Sequence, residues 1–489
     1  MRVALARLAV CIVGSVYACS GLAAEWTRSL SIAPKLVLTD NVCLESENPQ
    51  SEWVASVVPR VGVNGKGARA TFRLYGGLEF HSLDNNKNTC GSSGLANNRA
   101  KSPIPSWGAI ATSELARDLF FFDAGARGST NNVSEFVSGS DDALNRSGNL
   151  NITHSYYVRP YIDTRLKSFA QLYLAYQYDD QINSSDLVGD STKESVSLRL
   201  SSIASAIYWR INGSWNELRY DRPASTSELA SLSGTVGTNI NRELSINGTI
   251  GKEYNDYLAL ADEIDGEFWD VGFVWTPHSR FTLTAGIGDR FYGPAPRFSV
   301  SYRHKRQLFV AGYSRTLSYT RDLRTLDENS NQDILVDESG DVGADPEEIN
   351  QGQPTTLNRA PILNDRFYTN YRYQGKRSSF SLGASYSDQT RAGAGNDVAF
   401  TRVNAGIGRT LTSNLSVRAN ASWYEYAPDT SDGSLRTESQ TRRIGFSLNR
   451  KFAQKTSASL SYQYTERESD SDFNNYQENR LTLSVRFAY

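Results

Sequence analysis

Apolar and polar residues alternate with a period of two along almost the whole chain, and this limits the fold more than any other feature. Trp53, Ala55, Val57, Pro59, Val61 and Val63 share one face of an extended segment, and Ala70, Phe72, Leu74, Gly76, Leu78 and Phe80 share one face of the next. The pattern recurs in Ala170-Leu172-Leu174-Tyr176-Tyr178, Leu244-Ile246-Gly248-Ile250, Trp269-Val271-Phe273-Trp275 and Phe281-Leu283-Ala285-Ile287. It returns in Phe380-Leu382-Ala384-Tyr386, Leu415-Val417-Ala419-Ala421-Trp423 and Ala458-Leu460-Tyr462-Tyr464. Each run is about ten residues, the length a tilted strand needs to cross a bilayer. Strands with one apolar face, repeated this often, predict a sheet closed on itself with its apolar side outward, because only closure satisfies every backbone group in lipid.

Both ends of the chain fit that expectation. Leu481, Leu483, Val485, Phe487 and Tyr489 form one apolar stripe on the last strand. A terminal strand ending on an aromatic resembles the targeting signal read by the barrel-assembly machinery, whereas the last strand of a soluble sandwich has less reason to end so. Arg2 and Arg7 precede an apolar run, Leu8 to Ala18, and a small-residue stretch through Ala24. This reads as a signal peptide over residues 1–24, leaving 25–489 as one barrel domain. A lipoprotein signal centred on Cys19 is the alternative, which Tyr17 fits poorly.

No later apolar run approaches the roughly 18 residues of a membrane-spanning helix. The composition instead favours strands and polar loops: 26 Tyr, 20 Phe and 37 Gly, with a single Met, the initiator. No Pro/Ser linker or compositional break divides the chain. A net charge of −2 points to no class of partner.

Connections alternate in length. Short ones, such as Asn64-Gly65-Lys66-Gly67, Arg117-Asp118, Thr276-Pro277-His278-Ser279, Gly375-Lys376-Arg377 and Thr410-Leu411-Thr412, are interleaved with long polar ones. The long ones fall near 83–105, 130–153, 180–194, 255–266, 320–365 and 427–439. In outer-membrane barrels tight turns face the periplasm and long loops face outward. The expected fold is therefore all-β: a single closed antiparallel transmembrane β-barrel of about 22 strands, within about 18 to 26. The weak segments 194–218 and 297–318 could merge or split.

Beyond the signal segment two cysteines remain, Cys43 and Cys90, in the first and second long loops. Adjacent loops in an oxidising compartment favour a disulfide between them over a pair of exposed thiols.

The run Val271 to Asp322 contains Gly272-Phe273-Val274-Trp275-Thr276-Pro277, Gly288-Asp289-Arg290-Phe291-Tyr292-Gly293 and Val300-Ser301-Tyr302-Arg303-His304-Lys305-Arg306. Together with Thr39-Asp40-Asn41 and Pro59-Arg60-Val61, it resembles the PEP-CTERM-system-associated outer-membrane β-barrel family of exopolysaccharide-producing proteobacteria. The resemblance implies a role beside exosortase and exopolysaccharide export proteins, and it brings no catalytic residues. The chain departs from the family pattern in its loops, at Cys43 and Cys90 and in the 320–365 segment.

The residues give no sign of an enzyme. His81, His154, His278 and His304 form no metal-binding pair and flank no Gly-framed serine. Glu79 and His81 share an inward face, which fits ordinary lumen polarity better than two-thirds of a hydrolase triad. Nucleic-acid signatures are absent.

The basic residues carry the functional expectation. Arg69, Arg73, Arg159, Arg199, Arg210, Arg290, Arg303 and Arg418 fall opposite the apolar stripes, as do Arg127, Lys305, Arg402 and Arg486. Glu79, Asp163, Glu243 and Asp270 are their acidic counterparts. Guanidinium groups bind carboxylate or phosphate bidentately, and tyrosines offer flat faces to sugar rings, so such a lumen suits anionic or hydroxyl-rich solutes. Inward arginines kept for structure alone are the competing explanation. Asp327, Asn329, Asn331, Asp333 and Glu338 match calcium-loop spacing, but Gln332 replaces the turn glycine, and a solvated acidic loop without Ca2+ fits better.

These readings converge on a barrel in the Gram-negative outer membrane, in contact with lipid, acting as a passive conduit or scaffold for exopolysaccharide or envelope-polymer secretion. A small-solute, anion-preferring porin is one alternative. A closed structural barrel with partner- or polymer-binding loops is the other, favoured if the 130–153 or 320–365 loop fills the lumen.

Overall fold

The computed structural model describes residues 25–83, 90, 102–133, 139, 143–185, 188–203, 206–221, 224–257, 264–319, 321, 361–391, 397–428 and 438–489. The signal segment 1–24 and the acidic loop Asp327 to Glu338 lie outside the described residues.

The described residues form a single antiparallel meander. It begins with β1 (Glu25–Thr39), β2 (Glu52–Lys66), β3 (Ala70–His81), β4 (Ile104–Ala116), β5 (Phe120–Asn131) and β6 (Asn151–Leu166). It continues with β7 (Ala170–Asn183), β8 (Ser191–Ser202), β9 (Ile207–Asp221), β10 (Ala224–Asn239), β11 (Leu244–Asp256), β12 (Gly266–His278) and β13 (Phe281–Arg290). The two-residue β14 (Gly293–Pro294) leads into β15 (Arg297–His304), β16 (Gln307–Ser318), β17 (Ile362–Gln374), β18 (Ser378–Arg391) and β19 (Val398–Thr412). β20 (Leu415–Pro428), β21 (Ser439–Ala453), β22 (Thr456–Ser469) and β23 (Tyr476–Ala488) complete it.

β14 and β15 are one wall strand in two pieces. Both pair with β13, and Ala295 between them donates its N–H to the Gly288 carbonyl at 2.9 Å, in unbroken register. The wall therefore has twenty-two strands, as expected. The weak segments resolve into separate strands, β8 and β9 in one place and β15 and β16 in the other.

Closure comes from β1, which pairs with both β2 and β23. Leu36 lies opposite Leu483, Leu38 opposite Leu481 and Ile32 opposite Phe487, so apolar stripes meet across the seam. The ladder lapses around Pro34, which has no N–H to give. It is fastened at both ends: Tyr489 N–H donates to the Leu30 carbonyl (2.8 Å), and Asp40 accepts the backbone N–H and Nδ2 of Asn479 (2.7 Å each).

Register fixes which way each side chain points. The predicted stripes all lie on the outer face, where Val57, Val61, Phe80, Ile250, Val271, Ile287, Leu382 and Leu483 remain exposed with no protein over them. Water would not tolerate a belt of this kind around the whole circumference, but lipid does. Trp26, Phe169, Trp209, Phe452 and Tyr489 lie toward the short-turn side, and Tyr156, Tyr254 and Trp269 toward the loop side, as expected of aromatic girdles at the two interfaces. No helix among the described residues is long and apolar enough to cross a membrane.

Several strands run further than the alternation predicts, and register explains why. Pairing shifts between Glu114 and Ala116, Trp275 and His278, Thr410 and Thr412, and Lys451 and Ala453, always at the short-turn end. A bulge inserts one residue and reverses the facing beyond it, so the period-two signal fails while the wall continues. At Asn64 to Lys66 the cause differs: outward Gly65 has no side chain of its own, and the Trp26 ring lies where its Cβ would be. On the loop side, β9 and β10 pair to their ends, Asp221 opposite Ala224, so this outer connection is as short as an inner turn.

Candidate functional site: the lumen and its outer mouth

Inward tyrosines shape the wall. A Cβ at Gly125 would collide with the ring of Tyr157 on the neighbouring strand, and Gly237 and Tyr208 have the same relation. The missing side chain lets each ring lie flat against the sheet, which keeps the lumen wide and turns one aromatic face inward.

The outer mouth is filled from two sides. After β5 the chain turns into the barrel, and Leu144, Arg146, Ser147 and Asn149 are buried there. Leu144 packs with inward-facing Val37, Val54 and Ile104, and with Val42, Cys43 and Leu83 of the first two outer loops. A row of inward apolar residues is out of place in a water-filled channel, and the loop supplies its partner. Polar contacts hold the rest: Arg146 pairs with Glu52 at 2.9 Å and donates its N–H to the Val42 carbonyl at 2.8 Å. Tyr476 Oη donates to the Gly139 carbonyl at 2.8 Å, and Arg480 Nη2 reaches the Leu144 carbonyl at 3.5 Å. Arg480 is itself paired with Glu478 at 2.8 Å, and Glu478 also accepts from Thr39 Oγ1 at 2.7 Å.

The predicted disulfide joins Cys43 to Cys90 and belongs to the same apolar cluster. It ties the first outer loop to the second beside the inserted loop. From the opposite arc, Tyr319 follows β16 and reaches β9 and β10, donating to the Ser227 carbonyl (3.0 Å) and approaching that of Asn216 (3.3 Å). On the wall, β11, β12, β13 and β15 lie between them. Near this rim, burial above all, with Glu253 adding to it, pushes the Tyr292 phenol up to about 12 despite nearby Arg290 and Arg315, so it stays a neutral donor at physiological pH.

Beneath the inserted loop lies a cavity of about 1610 Å³. Ile104 and Ala143 bound its outer end, and it extends to the short turns at Gly375 to Ser378 and Ser413 to Asn414. Its wall combines small inward residues, Ser29, Ser31, Ala33, Gly62, Gly77 and Ser484, with Lys35, Arg60, Arg73, Arg418 and Arg486. Two carboxylates join them: Glu25 at the start of β1, and Glu79, already engaged by Ser56 Oγ (2.7 Å) and Lys35 Nζ (3.5 Å).

Of the arginines singled out from sequence, Arg73 and Arg418 line this cavity. Arg199, Arg210 and Arg303 face inward on β8, β9 and β15, along other arcs. Arg159 and Arg290 face inward but are occupied: Arg159 pairs with Asp123 at 2.5 Å, and Arg290 pairs with Glu253 and lies 4.4 Å above the Phe268 ring. Arg69 corrects the expectation. It sits in the tight turn between β2 and β3, exposed, with its carbonyl accepting from Glu114 N–H, because the strand ends before its inward position is reached. Glu243 and Lys305 are likewise turn residues rather than wall residues. Lys35 and Arg60 were missed, although the Trp53 to Val63 alternation already places Arg60 on the inner face.

No protein-family model matches the chain, and no curated relative does. Among solved structures it is similar to a variant of the ferric enterobactin receptor of Pseudomonas aeruginosa, with TM-score 0.53 and 11% identity over 96% of this chain and 81% of that one. It is also similar to the open form of the ferric-catecholate import receptor Fiu of E. coli K12, with TM-score 0.51 and 9% identity over 95% and 82%. At such identities the likeness shows the barrel fold. With its closed wall and lipid-facing belt, that fold places the protein in the outer membrane of a Gram-negative cell.

Proposed function

We propose that this barrel is a loop-gated passage through which a hydroxyl-rich, anionic envelope polymer leaves the periplasm, moving passively along a basic lumen. The observation that carries the reading is the asymmetry of the lumen: a basic cavity extends to the periplasmic turns and ends on its outer side at the inserted β5–β6 loop. A wall of this breadth is characteristic of large outer-membrane transporters with a filled lumen. The resemblance to the exopolysaccharide-associated barrel family supports a polymer over a small solute. The siderophore receptors share the barrel, and their ligands are not carried over.

Deleting the gene should remove polymer from the cell surface while leaving it in the periplasm. Undiminished surface polymer would overturn the reading. The burial of Leu144 and Arg146 also favours a second reading, a permanently closed barrel whose outer loops bind a partner or surface polymer. Under that reading, loosening the inserted loop would restore no passage to the deletion strain beyond what the intact protein allows.

A further inference from the structure

We propose that Arg60, Arg73 and Arg486, on β2, β3 and β23, form an anion-binding subsite beneath the inserted loop that takes the carboxylate groups of an acidic sugar chain. The subsite rests on the polymer-passage reading and specifies its substrate class.

Three observations carry it. First, the wall clears space around these side chains. Arg60 lies opposite Gly77 on β3 and Ser31 on β1, and Ser31 in turn lies opposite Ala488 on β23. A Cβ at Gly77 would stand 3.1 Å from Arg60 Cγ, so glycine there makes room for the arginine stem. Second, the guanidinium groups of all three project into the cavity, and among the described residues none is held in an ion pair or side-chain hydrogen bond. Arg486 Nε is shielded from solvent and has no hydrogen-bond partner. Third, Arg60 and Arg486 act on each other as like charges, and the carboxylate that partly offsets Arg60 is Glu79, already engaged by Ser56 and Lys35. Some other inward arginines are matched by carboxylates: Arg159 by Asp123, and Arg297 by Asp270 through two hydrogen bonds of 2.5 and 2.7 Å. Like charges held together without a carboxylate between them are relieved by an incoming anion. Planar guanidinium groups suit a carboxylate through paired N–H donors.

The test uses the full chain, purified in detergent, titrated with a polyuronate oligosaccharide, a neutral oligosaccharide of equal length, and inorganic phosphate. The polyuronate should bind saturably, weaken steeply as salt is raised, and lose at least tenfold in affinity in the Arg60→Ala/Arg486→Ala variant. Lys252→Ala, on the outer face of β11, should bind as the parent does. Heat-modifiable gel mobility checks that each variant is folded, and the salt titration of the parent stands independently of any variant. Equal binding of the neutral oligosaccharide, or unchanged affinity in the double variant, would overturn the site. Phosphate binding as tight as polyuronate would show a site for free phosphate and overturn the sugar-acid assignment. Binding that persists while a deletion strain keeps its surface polymer would sink the export reading and leave the subsite standing. Lost export without polyuronate binding would do the reverse.

Discussion

Two side chains at the seam show how buried charge is used here. Glu478 and Arg480 stand two residues apart on the inner face of β23, with side chains 2% and 5% exposed. Removing one partner of a buried pair leaves an uncompensated charge, so Glu478→Ala should cost about 3–5 kcal/mol of stability. Urea titration of the barrel refolded in lipid vesicles measures this, and a loss below about 1 kcal/mol would contradict it. Adding Arg480→Met should recover most of the loss, since a polarizable chain of similar reach replaces the stranded cation. On the outer face the controlling variable is depth. Leu483 lies opposite Leu36 and Leu460, well inside the apolar belt, whereas Phe487 lies near the short-turn rim. Leu483→Arg should therefore cost about 2–4 kcal/mol, and Phe487→Arg about 1 kcal/mol or less, by the same titration. Equal costs at the two positions would mean that the belt is misplaced.

The strands were largely legible because alternation is a local signal that needs no knowledge of neighbours, and toward the short turns it failed where a bulge or a glycine interrupted it. The inserted loop was not legible to the same degree. Residues Ala143 to Asn149 have the composition of a solvated outer loop, and their burial depends on Val37, Val54 and Ile104, which are distant in sequence and look like ordinary strand residues. The one available hint was that these three apolar residues fall on the face that should be polar. Cys43 and Cys90 could be paired because both lie in loops on the same side, but their contact with the inserted loop could not be foreseen. That contact makes the disulfide a clamp on the mouth more than on the wall. Cys43→Ser should leave the barrel heat-modifiable and fully inserted. It should also speed proteolytic cleavage in the outer loops and in the β5–β6 loop together, as followed by fragment mass. Cleavage confined to the first loop would show that the clamp does not extend to the inserted segment.

For the molecule as a whole, electrical recording separates a gate from a fixed closure. At the outer end of the lumen Leu144 and Arg146 contact β1, β2 and the first loop along one arc, while the cavity beneath them is basic and extends to the short turns. In planar bilayers the intact protein should accordingly conduct poorly, and replacing 140–150 with a Gly/Ser stretch of equal length should raise single-channel conductance at least severalfold. The opened variant should prefer anions, because unpaired guanidinium groups within a low-dielectric wall focus a positive field along the path. Reversing Arg60, Arg73 and Arg486 to glutamate changes that field by about two charges at each position, so the preference should fall or invert. The same reversals should leave folding yield nearly unchanged, because these side chains point into the cavity and, among the described residues, hold no ion pair or side-chain hydrogen bond. Reversal at outward Lys252 on β11 serves as the contrast, since it should alter selectivity little. Large currents from the intact protein would show that the loop does not seal the mouth. A loop-replaced variant that remains silent would place the barrier elsewhere in the lumen, with Tyr319 and the chain that follows it the next segment to replace.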